Sequence, residues 1–219
     1  GKMVAVNGHT MHVAASGERE DRPTIVMLSG SGTAAPAYDF KVLYQRLSAD
    51  YRVVVIERSG YGYSETSGAP RDVHTVVEEP RSALGHAGEE GPYILMPHSM
   101  GGIEALYYAQ THPEEVCGII GLDMTVPQAG DNIPKVPLAD FLLGAAGFVG
   151  LQRLPFFYPI ESVDLTGGEK EQAAYLTHGH AFALDLPNHI VLTHKNTGVV
   201  DGHRHPGPAL LALSAADEE

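Results

Sequence analysis

The ten residues from 93 to 102 constrain the fold of this chain more than any other stretch. Residues 93–97, Y-I-L-M-P, form an apolar run, which is followed by H-S-M-G-G and then by I-E-A-L-Y-Y-A at 103–109. This succession predicts a strand, a sharp turn and a helix, with Ser99 at the turn. A serine in that position exposes its hydroxyl, and the amide N–H of Met100 points to where an acyl oxyanion would lie. The sequence therefore makes Ser99 a candidate nucleophile.

Small residues after Ser99 make such a turn feasible, because Gly101 and Gly102 allow the helix to begin close to the strand. The segment P-H-S-M-G-G resembles the nucleophile elbow of the α/β-hydrolase superfamily, which usually reads G-x-S-x-G. It departs from that pattern at Pro97, which stands where glycine is usual, so the turn relies on the fixed φ of proline. The alternative is a chance H-S-M-G-G in a turn of another doubly wound domain.

Other segments occur in the order that the same resemblance implies. Two short alternating runs around Asn7-Gly8 predict an antiparallel hairpin, and the apolar run 24–28 predicts a strand buried on both faces. The turn E-R-S-G-Y-G-Y-S at 57–64 is similar to the family's D-x-R-G-x-G-x-S, and a later strand ends at Asp123 as the family's sixth strand does. We interpret the turn at 57–64 as scaffold, since it lacks the G-K-[ST] of a nucleotide-binding loop. The resemblance extends from residue 3 to the region of residue 127.

Residues 72–86 are predicted to form the helix before the elbow strand. Asp72 suits the N-cap, and apolar residues recur at helical spacing after it. Pro80 interrupts this pattern and removes one helical hydrogen bond, so a kink or break near Glu79 is expected. A second helix is predicted over residues 38–47 from its apolar stripe.

A length of 219 residues and alternating strand and helix signals favour a single domain over residues 1–219. The resemblance implies an α/β-hydrolase fold, which is a mostly parallel central sheet flanked by helices with a helical lid. Residues 134–190 take the place of the lid insertion, and their apolar side chains favour an apolar substrate or merely pack the lid onto the core. Residues 209–216 are interpreted as a short final helix, with the C-terminal strands of the fold shortened or missing.

The loop S-G-S-G-T after residues 24–28 is expected to contribute the second amide of an oxyanion hole. In the family this loop usually begins His-Gly, and the amide comes from the residue after that glycine, which corresponds to Ser31. Ser29 replaces the histidine, but a backbone donor survives that change. The sequence does not rank Ser31 above Gly32. The alternative is a glycine-rich turn that binds no ligand.

The resemblance also implies a histidine base and an acid near the C-terminal end of the sheet. Only D-G-H-R-H at 201–205 resembles the family's histidine loop, so His203 is the candidate base. Asp123 is the candidate acid because it ends a strand, with Asp185 and Asp201 as competitors. Residues 175–200 read equally well as lid helices, and in that case the triad would be incomplete.

Together these residues imply a serine hydrolase of esterase type. His203 would deprotonate Ser99 for attack on a carboxylic ester or lactone, and the amides of Ser31 and Met100 would hold the oxyanion. This chemistry requires no metal or organic cofactor, and the histidines lack an H-E-x-x-H or comparable ligand spacing. The alternative is a non-catalytic, hydrolase-like binding protein or a shortened variant without a complete triad.

The charge of the chain disfavours several classes of partner. The net charge is −13, and lysine and arginine total only 14, so nucleic acid and anionic membranes are not expected to bind. The expected partner is a small-molecule ester, and the sequence leaves the oligomeric state open. The first eight residues lack the apolar core of a signal peptide, which predicts a cytoplasmic protein.

Overall fold

The computed structural model of the chain describes residues 1–126, residue 169 and residues 209–213. The strands are β1 Lys2–Val6, β2 His9–Ser16, β3 Thr24–Leu28, β4 Val53–Glu57, β5 Tyr93–Pro97, β6 Val116–Leu122 and β7 Ala209–Leu213. The helices are α1 Pro36–Asp39, α2 Lys41–Leu47, α3 Val73–Ala87 and α4 Gly101–Thr111, and a short 3₁₀ helix spans Pro113–Glu115. Within this described part, the seven strands form one sheet in the order β1-β2-β4-β3-β5-β6-β7.

The sheet is mixed and mostly parallel. β1 pairs with β2, and β2 with β4, in antiparallel orientation, while every pairing from β4 through β3, β5 and β6 to β7 is parallel. The carboxyl ends of β4, β3, β5 and β6 therefore lie at one edge of the sheet. In open parallel sheets that edge is where ligands bind. The predicted α/β architecture is confirmed, and the elbow strand β5 lies inside the sheet between β3 and β6.

The N-terminal hairpin forms where Asn7-Gly8 predicts it. Asn7 has φ 47° and Gly8 has φ 87°, which are the left-handed conformations that a two-residue hairpin turn requires. Val6 and His9 pair directly beside the turn. Because the turn fixes the register, the hairpin adds two antiparallel strands to the edge of the sheet.

Helices cover both faces of the sheet, which explains the uninterrupted apolar runs of its central strands. All five residues of β3 and of β4 are buried. One core cluster joins α3 and α4 to one face, for example through Leu84 and Ile103. The opposite cluster packs Phe40, Leu43 and Leu47 against that side of the sheet. Strands buried on both faces need apolar residues at every position rather than at alternate ones.

Two helix predictions require correction. The helix predicted over 38–47 is divided at Phe40 into α1 and α2. The expectation of a kink or break near Glu79 is wrong as to the break, because α3 continues through Pro80 to Ala87, and the kink is not tested. The Asp72 side chain caps α3 by accepting from the Thr75 amide at 2.9 Å, and the buried apolar face of the helix offsets the hydrogen bond that proline removes.

The C-terminal prediction is also wrong in part. Residues 209–213 form strand β7, parallel to β6, rather than the start of a helix. A short run of alanine and leucine does not separate a buried strand from a helix by its period, and pairing with β6 decides the outcome here. Of the segment 134–190, only Glu169 is described, and its carboxylate lies 2.6 Å from the Lys41 ammonium. The lid prediction otherwise lies outside the described residues.

Among the helices of the described residues, none has both the length and the apolar composition that crossing a bilayer requires.

Candidate active site

Ser99 lies in the sharp turn that joins β5 to α4. Its backbone is left-handed, with φ 49°, a conformation that costs an L-residue about 1–2 kcal/mol. The Ser99 carbonyl accepts from the Thr125 amide at 2.8 Å and from the Gly102 amide at 3.0 Å, and the Ser99 amide donates to the Leu122 carbonyl at 3.4 Å. The turn is therefore held from the helix side and from the chain that follows β6. The strand, turn and helix predicted around Ser99 are present.

The two glycines after the turn are required by close backbone contacts. A Cβ atom at Gly101 would lie 2.7 Å from the Leu28 carbonyl oxygen. A Cβ atom at Gly102 would collide with the Thr125 carbonyl oxygen and lie 2.9 Å from the Met124 Cβ. Since α4 begins this close to the ends of β3 and β6, only glycine fits at either position.

Pro97 is compatible with the strand because of where the hydrogen bonds fall. Pro97 is the last residue of β5 and pairs with Leu28 of β3. The bond that joins the two strands at this point runs from the His98 amide to the Leu28 carbonyl at 2.9 Å. The missing N–H of proline is therefore not needed for this contact, and a proline at a strand end is tolerated.

The loop after β3 lies against Ser99. A Cβ atom built on Gly30 would lie 2.8 Å from the Ser99 Cβ and 3.3 Å from its Oγ. Gly30 thus permits the loop to approach the candidate nucleophile. Ser31, the next residue, is exposed, and it belongs to the chain segment predicted to form the oxyanion hole.

The sequence does not decide whether Ser31 or Gly32 contributes the second oxyanion-hole amide. The hydrogen bonds of the two amides differ. The Gly32 amide donates to the Tyr61 hydroxyl at 3.4 Å. Within residues 1–126, neither the Ser31 amide nor the Met100 amide has a hydrogen-bond acceptor. An oxyanion hole requires backbone amides that are not already bonded to an acceptor within the protein. This favours Ser31 over Gly32.

Ser29, in place of the family's usual histidine, is 1% exposed. Its hydroxyl has no hydrogen-bond partner among the described residues. Burying an unpaired hydroxyl costs about 1–3 kcal/mol. The Ser29 hydroxyl is therefore a buried polar group in this loop without a hydrogen bond to the described residues.

A buried ion pair below this loop was missed at the level of sequence. Arg58 directly follows β4, and its guanidinium donates to the Glu104 carboxylate of α4 and, at 2.7 Å, to the Gly30 carbonyl. Burial by itself would lower the pKa of Arg58, but the adjacent Glu104 outweighs it, so that pKa is raised. The signal was present as one acidic residue in the otherwise apolar start of α4, and as an arginine directly after a buried strand.

Asp123 lies at the same edge of the sheet as Ser99. It follows β6 directly, is exposed, and has φ 43°. Its neighbour Leu122 accepts the hydrogen bond from the Ser99 amide, so the main chains of the two candidate residues are adjacent. The structure therefore brings Asp123 to the edge of the sheet that carries Ser99, and its role as the acid remains a prediction.

The candidate base, His203, lies outside the described residues, as do Asp185 and Asp201. The strand β7 follows His203 in the chain. Its first residue pairs with Gly118 near the amino-terminal end of β6, whereas Ser99 follows the carboxyl end of β5. The resemblance implies the reverse order, with the histidine after the final strands.

One cluster of potential metal ligands occurs among the described residues. The ligand atoms of His112, Glu114 and Glu115 lie within 4.8 Å of one another. His112 contacts Glu78 at 2.6 Å, and Glu115 contacts the Arg81 guanidinium at 2.6 Å. Because the His112 and Glu115 side chains already have these partners, the cluster is explained by surface contacts at the end of α4, at the opposite end of the helix from Ser99.

The fold and the serine turn define a class of hydrolase-like α/β proteins, and comparison with known proteins gives the family. A family model for the alpha/beta hydrolase fold matches residues 23–198. The chain belongs to the alpha/beta-hydrolase family.

One curated relative and two solved structures of the same fold are similar to this chain. The uncharacterized protein YbdG of Bacillus subtilis is 38% identical over 204 residues, which cover 90% of this chain and 62% of that protein. A solved structure of a candidate epoxide hydrolase from Pseudomonas aeruginosa is similar with a TM-score of 0.66 at 20% identity, covering 100% of this chain and 81% of that one. A candidate lipase from Acinetobacter baumannii is similar with a TM-score of 0.61 at 19% identity, covering 91% and 63%. The chain thus spans about three fifths of the Bacillus relative.

Proposed function

We propose that this protein is a serine hydrolase that cleaves a carboxylic ester or lactone of a small apolar compound through an acyl-enzyme. The observation that carries the proposal is Ser99 itself, held in a left-handed turn between β5 and α4 with the loop at Gly30 against its side chain. Acyl transfer at a serine requires this hydroxyl, a base that takes its proton and backbone donors for the oxyanion.

The residue at the turn favours an acyl substrate over the epoxide that one structural neighbour's title names. Attack of a serine oxygen on an epoxide carbon would leave an ether, which contains no carbonyl for water to attack. Attack on an ester gives an acyl-enzyme ester, which water can hydrolyse to free the serine. A serine nucleophile can therefore complete a catalytic cycle on acyl compounds.

In the proposed mechanism a base removes the proton of the Ser99 hydroxyl while its oxygen bonds to the ester carbonyl carbon. The amides of Ser31 and Met100 stabilise the oxyanion, and the alcohol leaves with the proton. Water then attacks the acyl-enzyme by the same route and releases the acid. His203 is the proposed base, and no metal or organic cofactor takes part.

Asp123 is the proposed acid that orients the base, with Asp185 and Asp201 as the competitors that the sequence identified. Asp123 follows β6 at the edge of the sheet that carries Ser99. Asp217 follows β7 by four residues, and the carboxyl end of β7 lies beside Leu122 at that same edge. The resemblance implies an acid after the seventh strand, which adds Asp217 to the candidates that the sequence identified.

The proposed partner is a small-molecule ester, and the proposed location is the cytoplasm. A net charge of −13 supports neither nucleic acid nor an anionic membrane surface as a partner. The competing proposal is a protein that keeps the fold and the serine turn but lacks a working base.

Turnover of p-nitrophenyl acetate tests the proposed function. The parent protein should release p-nitrophenol, and Ser99→Ala should reduce kcat by at least about 10³-fold, because a triad nucleophile cannot be replaced by water. Ser48→Ala is the matched control, since Ser48 directly follows α2 and its hydroxyl donates to the Gln45 carbonyl. It should keep parental turnover.

Two outcomes would contradict the proposal. Turnover that persists in Ser99→Ala would show that another group is the nucleophile. A parent protein that turns over no activated ester, although folded, would favour the non-catalytic proposal.

A further inference from the structure

Arg58 occupies a position that the stability of the fold does not explain. It is 3% exposed, and its carboxylate partner Glu104 is 1% exposed. Replacing a buried ion pair by apolar residues of similar volume is often neutral or stabilising. The Arg58 Nε atom and the second Glu104 carboxylate oxygen also lack hydrogen-bond partners among the described residues. A costly and incompletely paired charge at this site calls for another role.

The second contact of Arg58 indicates that role. Its Nη2 atom donates to the Gly30 carbonyl at 2.7 Å, and its guanidinium carbon lies 4.5 Å from the centre of the Tyr61 ring. The Tyr61 hydroxyl in turn accepts from the Gly32 amide at 3.4 Å. Arg58 and Tyr61 thus hold the loop on both sides of Ser31.

The geometry of the peptide group links this contact to the oxyanion hole. The Gly30 carbonyl and the Ser31 N–H belong to one planar peptide, in which a trans bond directs the two groups in opposite directions. The cis peptide of the described chain lies elsewhere, at Gly91-Pro92. Whatever fixes the Gly30 carbonyl therefore also fixes the direction of the Ser31 N–H.

We propose that Arg58 is a positioning residue that orients the Gly30–Ser31 peptide so that the Ser31 N–H faces the carbonyl oxygen of a substrate at Ser99. The role rests on the proposed function of Ser99. Glycine at positions 30 and 32 allows this peptide to rotate. The Arg58 guanidinium is itself held by Glu104 of α4, and it fixes the peptide in one orientation. The loop and the nucleophile are thereby connected through a single side chain.

The test replaces the pair by apolar residues, Arg58→Met with Glu104→Met, so that no unpaired buried charge remains. The matched control is Arg52→Met with Glu89→Met at the opposite end of β4. Arg52 likewise donates to one carboxylate, that of Glu89, and to one backbone carbonyl, that of Gly17 at 2.8 Å. Arg58→Lys is a second variant for the case in which the double variant does not fold, because it keeps a charge beside Glu104 but loses the planar fork.

Kinetics distinguish positioning from structural support. The Arg58 variants should lower kcat for p-nitrophenyl acetate about 10²-fold, the effect of losing one oxyanion-hole donor, at nearly unchanged KM. The preference for the ester over its thionoester should fall as well, because sulfur accepts hydrogen bonds poorly. The Arg52 double variant should keep parental kcat and preference. Equal losses in both double variants, or an unchanged ester preference in the Arg58 variants, would overturn the proposal.

Crystal structures of the parent and of the folded Arg58 variant decide the matter independently of activity. A rotated Gly30–Ser31 peptide in the variant supports the proposal, and a peptide in the parental orientation overturns it. If the parent protein turns over no ester, the proposed function fails, while the orientation of this peptide still shows whether Arg58 holds the loop.

Discussion

At the scale of single residues, the strain at Ser99 is stabilised by its surroundings rather than by its own side chain. Its carbonyl receives two amide hydrogen bonds and its amide donates one, so the main chain is satisfied in a conformation that serine rarely adopts. Among the described residues, the Ser99 hydroxyl makes no hydrogen bond that would hold the turn. A residue held in a strained conformation by its neighbours is typical of a functional position.

The identity of the base is a prediction about a single residue, His203, which lies outside the described residues. If His203 accepts the proton of Ser99, His203→Gln should lower kcat by orders of magnitude with little change in melting temperature, because triad members act as a unit. The rate of the parent should rise with pH as the imidazole loses its proton, since only the neutral imidazole acts as a base. Steady-state kinetics between pH 5 and 8 would measure both effects.

His205→Gln is the control for this prediction, and its effect should be mild. Equal losses from both substitutions would indicate a packing role for the histidine segment. No loss from either would exclude His203 as the base.

At the scale of elements, the start of α4 depends on its two glycines. The N-terminus of this helix lies against the carbonyl oxygens that end β3 and against residues 124–125. That contact places the helix end, and with it the Met100 amide, beside Ser99. The helix position is therefore set by backbone contacts that a single methyl group would prevent.

Substitution of Gly102 tests this contact. Gly102→Ala should destabilise the protein by about 1–3 kcal/mol, because the new methyl group meets a backbone carbonyl that cannot move aside easily. Gly85→Ala is the matched control, since Gly85 lies inside α3 with no atom within 4 Å of its would-be Cβ. It should stabilise by about 0.5–1 kcal/mol. Urea denaturation would measure both, and equal effects would contradict the packing described for α4.

The elements that the sequence predicted correctly are those defined by local signals. The hairpin follows from Asn7-Gly8, the cap of α3 from Asp72, and the elbow from the glycines after Ser99. The elements it missed depend on distant contacts. Arg58 and Glu104 are 46 residues apart in the chain, and β7 is defined only by pairing with β6. No local pattern contains either relationship.

At the scale of the whole molecule, the parallel strands gather the candidate site at one edge of the sheet. The ends of β4, β3, β5 and β6 bring Arg58, the Ser31 loop, Ser99 and Asp123 together from four separate parts of the chain. The fold and the position of the candidate nucleophile follow from the order of the motifs. The base and the acid depend on residues after β6, where the resemblance is weak and where His203 precedes β7 rather than following it.

The most direct test of the account is to map the residue that a fluorophosphonate probe modifies on the folded chain. The probe forms a stable adduct only with a serine that a base and an oxyanion hole have activated. Mass spectrometry of the intact protein and of its peptides should show one adduct, on Ser99. An adduct on another residue, or no adduct on the folded protein, would contradict the assignment of Ser99 as an acyl-transfer nucleophile.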